Sequence, residues 1–310
     1  MRLLPFLFLA CVATAQTREG FLNVPGGPVW YRISGEGKGT PILALHGGPG
    51  GTSCSFLALD AFTRDRRVIV YDQLGSGRSG RPTDPSLWQV DRFIEELHTL
   101  RKKLGLRRVH LLGHSWGASL AAAYVLSKGA NGLASLTLAS PLLSTPDWIR
   151  DAAALKQQLP AAVQATLRKH ESDGTTNDPA YREAEAEYTR RFVRRSAPAP
   201  PNPACAESIR NSAIYERMWG PTEFHATGSL QSFDLTPRLA ELRLPVLLIT
   251  GEFDEARPET AARYQKLIPG ARFEVIPGAA HALFADNPAR TLQVLADFFR
   301  SLDPKATGKP

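Results

Sequence analysis

The apolar run Val109-His110-Leu111-Leu112 passes without an intervening loop into Gly113-His114-Ser115-Trp116-Gly117, and from there into an alanine-rich segment beginning at Ala118. A continuous apolar strand must be covered on both faces, and the segment after it has the composition of a helix. The five residues between them therefore have to redirect the chain in very little space. Glycine on each side of the serine removes the side chains that would collide with the neighbouring strand and helix, which leaves Ser115 held out on a sharp strand-to-helix turn. Such a turn commits the chain to helices packed against a sheet.

The surrounding pattern agrees. Runs at 29–33, 42–45, 67–71 and 136–138 read as strands, while 89–104 and 119–127 carry a helical period. Alternation of this kind predicts a mostly parallel central sheet with helices on both faces. From residue 142 to 238 the alternation stops, and the chain becomes rich in Ala, Arg and Glu, interrupted by Ser196-Ala197-Pro198-Ala199-Pro200-Pro201-Asn202-Pro203, which cannot be helix. Strands at 245–250 and 272–276 and helices at 258–267 and 288–302 then restore it. A stretch that long is no ordinary loop. The expected organisation is an α/β core over 16–141 and 239–302, an inserted helical cap over 142–238 and a flexible tail over 303–310. With 310 residues, 43% of them hydrophobic, the chain can bury one large core of this kind.

The first fifteen residues read differently. Arg2 precedes a short apolar stretch, 3–12, and Ala13-Thr14-Ala15 supplies an A-x-A cleavage signal, so 1–15 is expected to be a secretory signal peptide. The run is too short to span a bilayer, so export to the periplasm or medium is expected, without stable membrane insertion. Cys11 would leave with the signal. Cys54 and Cys205 could pair in an oxidising compartment, although spacing alone does not decide it. Three scattered cysteines exclude a disulfide framework and a Cys-based zinc site. The net charge of +7 comes without a basic run or stripe, which argues against nucleic acid as a partner.

A serine hydroxyl needs a base and an orienting carboxylate to become a nucleophile. Asp254, in Gly251-Glu252-Phe253-Asp254, follows one late strand, and His281, in Pro277-Gly278-Ala279-Ala280-His281, follows the next. Both lie just past the C-terminal ends of their strands, where open α/β sheets gather functional groups. His281 is the expected base, with Asp254 fixing its tautomer. His98 and His110 fall within a helix and a strand, His170 and His225 within the insertion, and His114 should point away from the hydroxyl. Glu252 and Asp286 are the other acids nearby; Glu252 should face the opposite side, and Asp286 is expected to cap the helix at Pro288. A tetrahedral intermediate also needs two N–H donors. Trp116, after the nucleophile, supplies one; the side-chain-poor loop His46-Gly47-Gly48-Pro49-Gly50 supplies the other at Gly48. His46 itself is expected to be structural.

Taken together, His46 to Gly50, Asp72-Gln73-Leu74-Gly75-Ser76-Gly77-Arg78-Ser79, Gly113 to Ala118, Gly220-Pro221-Thr222-Glu223-Phe224 and Gly251 to Glu255 resemble the proline iminopeptidases, serine peptidases of the α/β-hydrolase fold. The likeness extends over nearly the whole mature chain; Leu74 departs from it, standing where the family often has arginine. It implies that Glu223 and Glu255 hold the free α-amino group of a short peptide substrate, a role that composition alone would not assign to either. The expected activity is release of an N-terminal residue, preferably proline, through an acyl-enzyme, with no metal or cofactor. A carboxylesterase or lactonase using the same three residues is the alternative, distinguished by indifference to a free amine. A non-catalytic ligand-binding relative would not need Ser115, Asp254 and His281 intact.

Overall fold

The computed structural model describes residues 17–198 and 200–303. The expected signal peptide, with Cys11, lies outside them, as do residues 304–310 of the expected tail.

The strands β1 (Thr17–Val24), β2 (Gly27–Leu45), β3 (Arg66–Tyr71), β4 (Val109–His114), β5 (Leu133–Ala139), β6 (Val246–Gly251) and β7 (Arg272–Ile276) form one sheet. β1 and the first half of β2 pair antiparallel. β2 then turns back at residues 35–39 so that β3 lies between its halves: Tyr31 pairs with Tyr71 and Ser34 with Val68, and, after register shifts, Ile42 with Val68 and Ala44 with Val70. From the second half of β2 onward, β4, β5, β6 and β7 add in parallel. Around the sheet and in the insertion run α1 (Val90–Lys103), α2 (Trp116–Lys128), α3 (Thr145–Lys156), α4 (Ala161–Asp173), α5 (Pro179–Tyr188), α6 (Ser212–Met218), α7 (Pro258–Leu267), α8 (Leu283–Asp286) and α9 (Pro288–Leu302).

Strand side chains alternate between the two faces, and the core divides accordingly. Leu43, Leu111 and Leu248 pack with Phe93 and Leu97 of α1, Tyr124 of α2 and Tyr264 of α7. Their neighbours Ala44, Leu112 and Ile249 pack with Phe56 of the 3-10 segment Ser53–Phe62 and with Leu295 and Phe299 of α9. Each of these large side chains contributes roughly 1.5–3 kcal/mol on full burial, and both faces are covered. The mostly parallel, doubly covered sheet with an inserted helical cap follows the sequence expectation.

Between β5 and β6 the chain leaves the sheet to build α3 to α6. Helices α3 to α5 share a core of their own, in which Leu155, Leu167, Tyr181, Tyr188, Phe192 and Phe224 are buried together, while Ile214 and Met218 of α6 join the main core. After α5 one π-helical turn, Thr189–Val193, brings Phe192 and Val193 down onto the sheet edge. There the Phe192 carbonyl accepts from the N–H groups of Glu255 and His281, and the Val193 carbonyl from that of Ala282. The Pro-rich stretch is pinned by a disulfide, Cys54–Cys205, which ties it to the 3-10 segment after the glycine loop.

Two local expectations change. α9 is capped by Asn287, whose side chain accepts from Arg290 N, and not by Asp286. The Asp286 carboxylate instead accepts from the N–H groups of Ala280, Arg195 and Ser196, joining the loop before His281 to the insertion. Asp303, expected in the flexible tail, is fixed by a 2.7 Å ion pair with the nearly buried Arg66.

The disulfide closes a separation of 151 residues, so it removes much conformational freedom from the unfolded chain. Replacing both cysteines with serine is expected to cost about 2–4 kcal/mol. Thermal unfolding should then show a lower midpoint for the double variant, matched by wild type in reductant. Equal midpoints in all three samples would show that the link contributes nothing to stability.

Candidate active site

The turn at Ser115 is as tight as its glycines require. A Cβ on Gly117 would stand 1.9 Å from the carbonyl oxygen of Leu45, and one on Gly113 would stand 2.1 Å from that of Gly117. Ser115 takes φ 56° and ψ −124°, a conformation that L-residues rarely adopt. It is held there by its N–H bond to Ala139 O, 2.9 Å long, and by the buried first turns of α2. Ser115 lines a cavity of about 300 Å³ together with Gly47, Gly48, Arg194, Arg210, Glu223 and His281.

His281 follows β7 and Asp254 follows β6, so the parallel register carries both to the Ser115 edge. The His281 Nδ1 lies 2.9 Å from Asp254 Oδ1. Asp254 is held on both oxygens: Oδ2 accepts from the Ser140 hydroxyl at 2.5 Å and from Gly251 N at 3.0 Å, and Oδ1 also accepts from Ala256 N at 2.8 Å. His281 is 7% exposed. Its burial alone would lower its pKa, but the charge of Asp254 and the hydrogen bond to it, with help from Glu223 and Asp286, outweigh that and hold it above the usual histidine value. His114 also lines the cavity, and its Nε2 donates to the His281 carbonyl at 2.8 Å. Burial, then the neighbouring His281, pushes His114 down to about 4, so it stays neutral and acts as a fixed strut.

The glycine loop is built around Gln73. His46 Nε2 accepts from Gln73 N at 2.9 Å, which places the imidazole proton on Nδ1, 2.9 Å from Gly47 O. The Gln73 side chain donates to His46 O and accepts from the Trp116 indole. One amide thus ties the loop carrying Gly48 to the residue after Ser115. Among the described residues, no acceptor engages the backbone N–H of Gly48 or of Trp116. Leu74 is fully buried in the core. Arg78 stacks on Trp30 and Arg81 bonds Ile209 O, so neither takes the place of an arginine at 74 in the cavity.

The two glutamates reach the same region by different routes. Glu223 sits in a turn closed by bonds from the Trp219 indole to Thr222 O and from Thr227 N to Trp219 O. The Trp148 indole donates to its carbonyl at 2.7 Å. Glu255 is 1% exposed, and neither carboxylate oxygen has a hydrogen-bond partner. One of them lies 4.0 Å from His281 Nδ1. Burial, then the charges of Glu223 and Asp254, drives the Glu255 carboxyl well above the ordinary range. Burial and Glu223 likewise bring Glu185 up to about 6.

Several participants escape a reading of the sequence. Ser140, at φ 47°, buttresses Asp254; Trp148 packs edge-on against the His281 ring at 5.6 Å. Tyr188 stands beside Glu255 and Tyr215 beside Glu223, with both hydroxyls buried and lacking a well-formed hydrogen bond. The only signal for Ser140 was its place directly after β5. The others come from the insertion, where no motif marks them.

Residues 40–288 match the alpha/beta hydrolase fold family. The chain is 44% identical over 286 residues to a proline iminopeptidase of Heyndrickxia coagulans, covering 92% of this chain and 99% of that one. Among solved structures it is similar to VinJ, with a TM-score of 0.86 and 33% identity over 92% of this chain and 99% of the other. It is also similar to a proline iminopeptidase of Mycobacterium smegmatis, with a TM-score of 0.82 and 33% identity over 92% and 98% of the two chains.

If neutral His281 activates Ser115, a fluorophosphonate probe should label the protein at a rate that falls on acidification, with its midpoint above pH 6.5. Asp254→Asn removes the main influence raising His281, so the midpoint should move down while the plateau rate falls by about 10³–10⁴-fold. A midpoint that Asp254→Asn leaves in place would separate the two residues.

Proposed function

Because the chain belongs to the proline iminopeptidase family of α/β hydrolases, we propose that it is a serine aminopeptidase releasing an N-terminal residue, preferably proline, from short peptides. In this reading Ser115 attacks the carbonyl of the first residue, and His281 takes its proton while Asp254 stabilises the imidazolium. The oxyanion is received by the N–H groups of Gly48 and Trp116. Collapse of the intermediate breaks the peptide bond, with His281 returning the proton to the departing amine. Water, deprotonated by the same imidazole, then cleaves the ester and frees the amino acid.

The observation that carries the assignment is the Glu255 carboxylate, buried and unpartnered beside His281. A buried acid without donors is costly, and a cationic amine would satisfy it together with Glu223. An ester substrate offers no such cation. Burial and the charges of Glu223 and Asp254 raise the proton affinity of Glu255, and a cationic amine arriving beside it would favour its ionised form. Export to the periplasm or medium belongs to the same proposal; the N-terminal sequence and the Cys54–Cys205 link both support it.

Hydrolysis of a proline arylamide, its N-acetylated counterpart and a short-chain aryl ester provides the test. Wild type should cleave the free arylamide and leave the acetylated one; Ser115→Ala should cleave neither. Glu223→Gln should lower kcat/KM for the free arylamide by about tenfold or more, as expected for loss of a hydrogen bond to a charged group, and affect the ester far less. Turnover of the ester alone, with Glu223→Gln silent, would assign the protein to the carboxylesterase alternative.

A further inference from the structure

Two arginines share the cavity with Ser115 and Glu223, and neither has a carboxylate partner. Arg194 directly follows Val193, whose carbonyl holds the residue after His281. Its guanidinium makes only long contacts, 3.3 Å to Ser196 Oγ and 3.4 Å to Ala197 O. Arg210 makes no hydrogen bond or ion pair among the described residues, although it lies close enough to His46 and Tyr215 to act on both electrostatically. Arg32 pairs with Asp60, Arg66 with Asp303 and Arg263 with Asp147, whereas Arg194 and Arg210 stand on the cavity lining with Glu223 as the acid there.

Arg210 is also rigidly placed at its backbone. The preceding carbonyl, Ile209 O, accepts from Gly77 N at 2.9 Å and from Arg81 at 2.6 Å. Asn211 donates from its backbone to Gly50 O and from its side chain to Gly75 O, both at 2.8 Å. The Cys54–Cys205 link holds the same segment five residues earlier. The arginine is thus anchored directly on the glycine loop, at a fixed position relative to Gly48.

The lining of the cavity carries Glu223, Arg194, Arg210 and His281. A cavity with an acid and two arginines on its lining can receive a molecule that bears both a cation and an anion. In a peptide bound by its amino group, the first anion that must follow is the C-terminal carboxylate. One residue spans at most about 3.3–3.6 Å, so that carboxylate lies within arginine reach of the scissile bond in a dipeptide or tripeptide, and beyond it in longer chains. We propose that Arg210 and Arg194 bind the C-terminal carboxylate of the departing portion, making di- and tripeptides with a free C-terminus the preferred substrates. This rests on the aminopeptidase reading and adds a specificity on its leaving side. Guanidinium groups suit the task because they meet a carboxylate with two parallel hydrogen bonds.

The test compares kcat/KM for prolyl-alanine, prolyl-alanine amide and a proline arylamide, using wild type, Arg210→Gln, Arg194→Gln, the double variant and Arg210→Lys. Wild type should favour the free acid over the amide by about tenfold or more, and the preference should shrink as salt is raised. In the double variant the ratio should fall to near one, through a higher KM, while the arylamide loses much less; Arg210→Lys should retain part of the preference. A wild-type ratio near one, or equal losses on all three substrates in the variants, would overturn the inference while leaving the aminopeptidase assignment intact. A wild type that cleaves none of the three substrates overturns both.

Discussion

Everything at the cavity depends on how closely the first turn of α2 approaches the end of β2. The missing Cβ of Gly117 lets the helix backbone come within contact of Leu45 O, and that approach forces Ser115 into its unfavourable dihedrals. A residue in such a region costs roughly 1–3 kcal/mol, and the cost is offset by the unbroken burial of α2 from Trp116 to Val125. In return, the serine stands clear of the sheet at the positive end of a helix, beside the loop bearing Gly48. A Cβ on Gly47 would come within 3.0 Å of the Ser115 Cβ, so the loop and the serine are fitted against each other without room for a side chain between them. Gln73 then locks the pair from below, which gives the Asp72-Gln73 motif a mechanical reason to exist.

The electrostatics rest on a contrast between two adjacent acids. Asp254 receives donors on both oxygens, so its charge is supported and serves His281. Glu255, the next residue, is buried beside the Tyr188 hydroxyl with neither carboxylate oxygen in a well-formed hydrogen bond. Identical chemistry in different surroundings gives different proton affinities. Glu255, Glu185 and His281 all hold protons more tightly than usual, the first two through burial and neighbouring carboxylates and His281 through the charge of Asp254.

Ser115, Asp254 and His281 were legible because each stands just after an apolar run, and strand ends in a parallel sheet converge on one edge. Gly48 and Trp116 stand at the same edge, each just after a strand of that sheet or the turn that follows it. Glu223 was not: it lies in a turn of the insertion, and only the resemblance of the surrounding Gly-Pro-x-Glu-Phe segment pointed to it. Trp148, Tyr188, Phe192 and Tyr215 leave no local trace, since their importance arises from how the cap lies on the sheet. The cap on α9 was misassigned because Asp286 and Asn287 both precede Pro288, and propensity does not choose between them. The fold chose, since the Asp286 carboxylate is occupied by three backbone N–H groups from two other segments. Cys54 and Cys205 posed a similar problem, a spatial question that spacing cannot answer.

The inserted helices are more than a cover. One carbonyl, that of Phe192, accepts from both Glu255 N and His281 N at 3.2 Å. A shift of the π-helical turn would therefore displace Glu255 and the imidazole of His281 together. Asn211 fastens the same insertion to the glycine loop that carries Gly48, and the disulfide fastens it to the 3-10 segment that follows the loop. The insertion thus touches the groups around Ser115 at two separate places, each through backbone bonds and not through side chains alone. Sequence change in the cap can then alter what fills the cavity, while the positions of His281, Glu255 and Gly48 remain set by main-chain geometry. That division leaves the arginines at its edge free to vary in identity without disturbing the frame that holds the chemistry.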